Sequence, residues 1–350
     1  MAVYTAIDDP EAYFQVKTYS GNDLARSITF DGDTDMQPDL MWLKSRTHTA
    51  SWLCNDAVRG ATKRLKLDLN SAEATETDMI TAFNTDGFSL GTTTTVNGDG
   101  ENFCSWSWKA NGSGSSNSDG SVTSTVSANT TNKFSIAKYT GTGSAGATIG
   151  HGLGVKPDLI IIKHLSGSNW VVKHKSLGFT NNDAIKINLS NAAGTDHDYM
   201  NSTEPTTAIF YLNDSGAVNT DGNDHIAYCF TEVQGFSKFG SYEGNGDADG
   251  TFVYTGFRPA LLIIKNTSSS STNWTIIDNK MNPFNQMNIR LTPNSSEVEQ
   301  VDSNPKDFLS NGFKLRTTGS YENDSGDSYI YMAFAEAPFV NSNGVPCNAR

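Results

Sequence analysis

Five landmarks recur three times, in the same order, along the 350-residue sequence. Such internal repetition constrains the fold more than any local pattern, because each copy must adopt the same structure. The sequence therefore predicts three copies of one structural unit. The landmarks are a Tyr-x-Gly triplet (Tyr19, Tyr139, Tyr242), a Pro-x-Leu run ending in lysine (Lys44, Lys163, Lys265), a tryptophan (Trp52, Trp170, Trp274), an alternating apolar stretch (65–69, 185–189, 289–291), and an Asn-x-x-Gly turn (Asn97, Asn219, Asn323) leading to an aromatic residue (Trp108, Phe230, Phe334).

The three units have nearly equal lengths. From the tyrosine to the last aromatic residue they span 19–108, 139–230 and 242–334. The extra residues between the first two units coincide with a polar stretch rich in Gly, Ser and Asn, a composition typical of flexible linkers. The predicted division is unit 1 (1–110), a linker (111–131), unit 2 (132–234), unit 3 (235–340) and a C-terminal tail (341–350).

Within each unit the pattern is that of β-strands. Apolar runs are short, rich in β-branched and aromatic residues, and punctuated by Gly, Asn and Asp. The runs at 159–162 and 261–264 predict central strands buried on both faces. The best helix candidate is 71–83. Units of about 100 residues with several such strands favour an all-β chain of three tandem antiparallel β-sandwiches, of jelly-roll or lectin-like type.

The charge balance excludes one class of partner. Acidic residues number 38 and basic residues 25, which gives a formal net charge of −13. Binding to a phosphate backbone requires a concentrated basic surface, so we expect no nucleic-acid partner. The sequence also lacks an apolar run of about 18–20 residues and a basic, apolar start, so we expect neither membrane insertion nor secretory export.

Motifs for catalysis are absent from the sequence. It contains no G-x-S-x-G, H-E-x-x-H or G-x-x-x-x-G-K-[ST] pattern, and none of its six histidines stands at a repeated position. Asp56 and Asp278 follow the repeated tryptophan by four residues, but His174 takes that place in unit 2. This pattern favours a repeated structural contact over a pair of catalytic carboxylates. The sequence therefore predicts a protein that is not an enzyme.

The four cysteines predict neither a zinc site nor a disulfide framework. Cys54, Cys104, Cys229 and Cys347 lie far apart and show no C-x-x-C spacing. We expect reduced thiols, most of them buried.

Short acidic loops are candidates for calcium binding, the one cofactor that the sequence suggests. The first begins like an EF-hand loop at Asp31, but Met36 and Trp42 stand where glycine and a bidentate glutamate belong. Loops of this composition are also ordinary hairpin turns, so both interpretations stay open. The loops are DGDTD (31–35), NGDG (97–100) and NGDADG (245–250).

Exposed aromatic side chains on a β-sandwich can stack on sugar rings. The repeated Trp52, Trp170 and Trp274 are the first candidates for such glycan contacts. Because residues shared between repeats also mark a core, a role inside the units is the alternative interpretation. Further candidates are Tyr199, Tyr211, Tyr242, Tyr254 and Tyr321.

Several consecutive segments resemble tail-fibre-like virion proteins of tailed bacteriophages that infect marine bacteria, including cyanobacteria. The resemblance covers nearly the whole chain, and it transfers no catalytic residue. It implies a protein of the phage particle, made in the host cytoplasm. The segments are IDDPEAYFQ (7–15), QPDLMWLK (37–44), WSWKA (106–110), IGHGLGVKPD (149–158), GFSKFGSY (235–242) and FVYTGFRP (252–259).

The leading hypothesis is a structural virion protein, a tail fibre or tail-appendage component that takes part in adhesion to host-surface glycans. Its partners would be other virion proteins and the host glycan, and unit 1 (1–110) would be the unit that attaches to the particle. Because single sugar sites bind weakly, we expect a homo-oligomer, with a trimer as one arrangement, although no heptad stem enforces it. The alternatives are a capsid decoration or head-fibre protein, and a polysaccharide depolymerase.

Overall fold

The computed structural model describes residues 5–195 and 197–347, without the side chains of residues 302 and 303. Strands account for 42% of the residues and helices for 4%, which confirms the predicted all-β class. The strands pair in antiparallel sheets. None of the described helices is long enough to cross a membrane.

Unit 1 contains a large sheet and a small one. The large sheet has the order β1-β9-β3-β4-β5-β6, and the small sheet the order β2-β8-β7. A 3-10 helix at Pro10–Ala12 precedes β1, and the four-residue helix α1 (Thr94–Asn97) precedes β9. The strands are β1 (Phe14–Ser20), β2 (Arg26–Ile28), β3 (Leu40–Ser45), β4 (Leu53–Asp56), β5 (Lys63–Lys66), β6 (Ala74–Thr75), β7 (Ile80–Phe83), β8 (Phe88–Leu90) and β9 (Asn102–Trp108).

Unit 2 and the segment before it follow the same plan. Seven strands form a sheet in the order β10-β11-β12-β18-β14-β15-β16, and β13 pairs with β17. A 3-10 helix at Lys175–Leu177 follows β15, and α2 (Gly216–Asn219) precedes β18. The strands are β10 (Ser115–Asn117), β11 (Ser124–Asn129), β12 (Phe134–Thr140), β13 (Ala147–Gly150), β14 (Leu159–His164), β15 (Val171–His174), β16 (Ile185–Lys186), β17 (Ile209–Leu212) and β18 (Asp224–Phe230).

Unit 3 has two four-stranded sheets, in the orders β19-β26-β21-β22 and β20-β25-β24-β23. Its strands are β19 (Ser237–Glu243), β20 (Phe252–Tyr254), β21 (Phe257–Asn266), β22 (Thr275–Asp278), β23 (Met287–Arg290), β24 (Gln300–Leu309), β25 (Gly312–Leu315) and β26 (Ser328–Pro338).

The sequence repeat recurs in the strand pairing. The first strand of each unit pairs with the last, as β1 with β9, β12 with β18, and β19 with β26. The last strand then pairs with the strand that ends near the repeated lysine, as β9 with β3, β18 with β14, and β26 with β21. Each of these middle strands continues into a hairpin with the strand that follows the tryptophan. The same antiparallel core is therefore built at three places in the chain.

The central strands β3, β14 and β21 are buried on both faces, and successive side chains of each strand point to opposite faces of its sheet. In β3, Met41 and Leu43 pack against the small sheet of unit 1. Leu40 and Trp42 point the other way, into a second core that contains residues of all three units. The continuously apolar strands predicted at 159–162 and 261–264 are buried throughout for the same reason.

The shared core closes around one point where the three units meet. Trp108, Phe230 and Phe334 lie on the last strands of their units and contact one another, with ring centroids 6.3, 5.6 and 5.9 Å apart. These are corresponding residues of the repeat, so the units surround a local threefold axis. The three units form one body, and the predicted linker at 111–131 does not separate unit 1 from the other two units.

The predicted linker at 111–131 is a folded part of unit 2. It contains β10 and β11, which extend the large sheet beyond β12. Ala110 and Gly112 donate backbone hydrogen bonds to the buried carboxylate of Asp39, which holds the start of the segment against unit 1. The polar composition misled the prediction because strands at a sheet edge are stabilised by backbone hydrogen bonds, which any residue with an N–H can make.

The helix predicted at 71–83 is also absent; the segment forms β6 and β7. Its backbone finds partners outside itself, since the N–H of Glu73 donates to Leu165 in unit 2 and that of Glu76 donates to Thr62. Pairing across the fold therefore overrides the helical spacing of its apolar residues.

Candidate functional site

The repeated tryptophans join the units. Trp52, Trp170 and Trp274 are completely buried, so the prediction that they stack on glycans is wrong. Each indole N–H donates to a carbonyl oxygen of the neighbouring unit. We call the contact between two neighbouring units, where such a bond lies, a seam. The bonds run from Trp52 to Thr292 (2.9 Å), from Trp170 to Lys66 (2.9 Å) and from Trp274 to Lys186 (3.0 Å), and they close a ring of three seams.

The repeated lysines support the same seams. Lys44, Lys163 and Lys265 are fully buried, and each ammonium group donates to the carbonyl of the next residue. Lys163 and Lys265 also donate to a carbonyl of the preceding unit, at Asn70 and Ser190. Burial lowers the pKa of these groups, to about 8 for Lys44 and Lys163 and to about 7 for Lys265.

Backbone hydrogen bonds complete each seam. Two residues after every buried lysine, a carbonyl oxygen accepts an N–H from another unit. These bonds run from Glu73 to Leu165 (2.7 Å), from Ala193 to Thr267 (3.0 Å) and from Glu299 to Arg46 (2.8 Å).

The carboxylates four residues after the tryptophans are also seam residues. Asp56 accepts a hydrogen bond from the hydroxyl of Tyr228 at 2.7 Å, and Asp278 accepts one from the indole of Trp106 at 3.1 Å. Tyr228 and Trp106 correspond to each other in the repeat; the third corresponding residue is Met332, whose side chain has no donor. The position of the third carboxylate is taken by His174, whose ring Nδ1 accepts a hydrogen bond from the backbone N–H of Ser176.

The electrostatics of the seams follow from burial. Burial raises the pKa of Asp278 to about 6, against the stabilising hydrogen bonds from the backbone of Met281 and Lys280. Burial lowers the pKa of His174 to about 4. Asp56 forms an ion pair with Arg59, whose Nε lies 2.6 Å from the carboxylate. Asp56, Asp278 and His174 therefore have a structural role, because they are buried and inaccessible to solvent.

The remaining landmarks connect loops within a unit. Each repeated tyrosine donates its hydroxyl to the carbonyl just before the repeated asparagine, at Val96, Val218 and Glu322. The asparagines are fully buried, and their side-chain amides donate to nearby backbone carbonyls. The glycine of Tyr-x-Gly packs so tightly that a Cβ at Gly21, Gly141 or Gly244 would stand 2.0–2.3 Å from a carbonyl oxygen. The landmarks thus fix the loops next to the last strand.

The acidic loops contain no grouped metal ligands. Among the described residues, no cluster of three or more His, Cys, Asp or Glu side chains could hold a metal ion. Asp31 pairs with Lys17, and Asp249 pairs with Lys314 and Arg316, so cationic side chains already neutralise these carboxylates. Asp247 instead accepts the backbone N–H of Asp249, as in an ordinary turn.

A group of histidine and cysteine side chains is also buried. The rings of His164 and His225 stack at 4.6 Å, and Tyr139 stacks on the other side of His225 at 5.3 Å. Burial lowers the pKa of His225 to about 4. Cys54, Cys104 and Cys229 are buried thiols, as expected, and burial raises their pKa, to about 12 for Cys54; Cys347 is half-buried.

One exposed aromatic side chain lines a pocket. Tyr254 is 59% exposed, whereas the other tyrosine candidates are buried or half-buried. It lies on the outer face of β20, beside Phe252 and opposite Gly312 of the paired strand. The alternation of Phe252, Val253 and Tyr254 was the available sequence signal, because a buried Val253 requires its neighbours to point outward.

The pocket beside Tyr254 has a volume of about 440 Å³ and lies within the range of ligand sites. Its other walls are the unit 2–unit 3 connection and the C-terminal segment, with Phe339 as a second aromatic side chain. Glu232 and Lys238 line it, with an N–O distance of 3.2 Å. Burial alone would raise the pKa of Glu232, but Lys175 and Lys238 outweigh it, so that the pKa lies below its ordinary value and the group is a carboxylate. Sequence reasoning missed Glu232 and Lys238, which carry no motif.

A second surface pocket, of about 530 Å³, lies in unit 2. Its aromatic residue, Tyr199, is 2% exposed, and the ammonium group of Lys186 lies 5.5 Å from the ring centroid. The ring is therefore already covered, which leaves the Tyr254 pocket as the stronger candidate site.

Comparison with known proteins gives one family. Residues 9–338 match the model of a family described as "Domain of unknown function (DUF7483)". The chain belongs to this family. Its single model runs through all three units, in agreement with the shared core, so in DUF7483 the three units are parts of one domain. No curated protein and no solved structure matches the chain.

Proposed function

We propose that this DUF7483 protein is a non-enzymatic structural component of a phage virion, most closely a tail-fibre or tail-appendage protein that takes part in adhesion to host-surface glycans. The observation that supports this role is the contrast between interior and surface. The repeated aromatic and charged residues lock three units together, while Tyr254 remains exposed beside a polar pocket.

The rigid body suits such a role. Tryptophan and backbone hydrogen bonds cross all three seams, and a common core fills the axis. Local opening, which exposes a chain to proteolysis, is suppressed where buried contacts are dense. A protein on a particle outside the cell benefits from this resistance, whereas an enzyme with a moving lid would need looser elements.

The position on the particle is part of the proposal. A tail location predicts density for this chain on the tail in an electron-microscopy map of the virion. Density on the head would instead support the capsid-decoration role. Partners in either place are other virion proteins.

Oligomeric state bears on adhesion, because several weak sugar sites acting together give useful avidity. Copies can be brought together by self-association, a trimer included, or by the symmetry of the particle. Light scattering on the purified chain distinguishes the two: a mass near 37.8 kDa favours particle symmetry, and a multiple of it favours self-association.

The test of adhesion uses the purified full chain, labelled with a fluorophore, and host cells. We expect saturable binding that is competed by the purified surface polysaccharide of the host. Absence of binding to both cells and polysaccharide, for the chain alone and displayed in many copies on beads, would contradict adhesion. Release of oligosaccharides during the same incubation would support a depolymerase instead.

A further inference from the structure

We infer that the Tyr254 pocket is the glycan site and that it takes a neutral hexopyranose unit; this inference rests on the proposed adhesion function. Neither the family nor the sequence repeat assigns this pocket.

The first argument concerns the ring of Tyr254. A sugar ring stacks on an aromatic ring only where one face of the aromatic ring is open. Tyr254 is 59% exposed, and its cross-strand neighbour is Gly312, which has no side chain to cover it. A Cβ at Gly312 would lie 2.1 Å from the carbonyl oxygen of Val253, so the strand pairing itself requires glycine there.

The second argument concerns how the ring is held. The turn after β20 is fixed by hydrogen bonds from the N–H groups of Thr255 and Gly256 to Asn311, and the N–H of Phe339 donates to Gly256. Gly256 has φ +85°, and a Cβ there would lie 3.6 Å from the hydroxyl of Tyr254. The turn at residues 255–256 therefore lies next to the ring of Tyr254. Because this turn is already fixed by hydrogen bonds, little conformational entropy is lost when a ligand binds to the ring.

The third argument concerns charge. Of the two ionisable side chains that line the pocket, Glu232 pairs with Lys238 and also with Lys175, which in turn pairs with Asp158, so the two negative and two positive charges of this group cancel. Glu232 and Lys238 still offer acceptor and donor atoms, as does the exposed amide of Gln234, and these suit the hydroxyl groups of a sugar. A pocket with no net charge favours a neutral sugar over a uronic acid or a sulfated sugar.

The experiment measures binding of the full chain to immobilised oligosaccharides of glucose, galactose, mannose and N-acetylglucosamine, with glucuronic acid oligosaccharides as the charged comparison. We expect binding to at least one neutral probe. Y254A should raise Kd by at least about tenfold, and E232Q, which keeps the shape of the side chain, by several-fold.

F252A is the matched control, because Phe252 is an exposed aromatic residue of the same strand outside the pocket. It should change Kd by less than about twofold. Circular dichroism and thermal melting of all variants verify that they fold.

The outcomes separate the site from the function. Wild-type chain that binds host cells, with Y254A equally active, overturns the pocket and leaves adhesion standing. Binding to glucuronic acid probes alone overturns the neutral-sugar assignment. Failure of the wild-type chain to bind cells, polysaccharide or any probe overturns adhesion itself, and the site with it.

Discussion

At the residue scale, the repeated side chains connect neighbouring units. Where the residue type differs between units, as at Asp56, His174 and Asp278, the partner in the neighbouring unit differs too. Asp56 and Asp278 accept hydrogen bonds from Tyr228 and Trp106 of another unit, whereas the residue of the repeat that corresponds to these two donors in unit 3 is Met332, whose side chain has no donor. Sequence reasoning recognised the position of the two carboxylates as structural. It could not identify the partners, because they come from another unit more than 170 residues away in the chain for each carboxylate.

Removal of one seam hydrogen bond should cost more than the same change at the surface. Y228F deletes the hydroxyl that donates to buried Asp56, so we expect a loss of about 1–3 kcal/mol in the free energy of unfolding. Y254F makes the same chemical change on an exposed ring and should stay within about 0.5 kcal/mol of wild type. Urea denaturation measures both; equal stabilities of the two variants would contradict the role given to Tyr228.

Acid should weaken the protein through its buried histidines. His174 and His225 have pKa values of about 4 in the folded chain, below the ordinary 6.5. Between these values the unfolded chain binds protons that the folded chain does not, so the free energy of unfolding should fall as the pH drops from 6.5 towards 4. Asp278, with its pKa raised from 3.8 to about 6, acts in the opposite direction between pH 6 and 3.8.

H174N tests the histidine contribution. Asparagine keeps an acceptor for the N–H of Ser176 but does not titrate. Urea denaturation between pH 7 and 4.5 should show a shallower decline for the variant than for wild type. A decline as steep as that of wild type would show that His174 is not among the groups responsible.

At the element scale, the sequence predicted the strands well where they are apolar and failed where they are polar. β14 and β21 were recognised as buried on both faces, although the pattern could not say that the second face packs against other units. β10 and β11 were missed because their side chains are mostly Ser, Thr and Asn, and β10 is also largely exposed. Their stability comes from the backbone ladder, which composition does not reveal.

Two glycines in the segment 111–131 test whether it is folded. Both have positive φ, but a Cβ at Gly112 meets nothing within 4 Å, whereas one at Gly114 would lie 2.7 Å from the carbonyl oxygen of Val126. G112A should reduce the free energy of unfolding by about 1–2 kcal/mol, because alanine is strained in the left-handed backbone conformation. G114A should reduce it more, because its Cβ also clashes with Val126. A flexible linker would tolerate both substitutions, so unchanged stability in chemical denaturation of both variants would contradict the strand pairing.

At the scale of the whole molecule, three similar units form one domain around a shared axis. The repeat could be predicted from sequence, since its landmarks keep their order and spacing. The packing of the three units against one another could not be predicted, because an apolar face of a sheet does not specify which other face it will pack against. The candidate site was predictable only as one tyrosine among five; its pocket is formed by three chain segments that come together in the fold.

The central claim is that the repeated residues join the units into one body, and calorimetry of the full chain tests it most directly. Because the three units share a core, we expect a single thermal transition whose calorimetric enthalpy equals the van't Hoff enthalpy. W170A removes a seam tryptophan and should reduce the free energy of unfolding by about 3–5 kcal/mol, so we expect the midpoint temperature of the single transition to fall. Two or three separate transitions, with W170A moving only one of them, would contradict the claim.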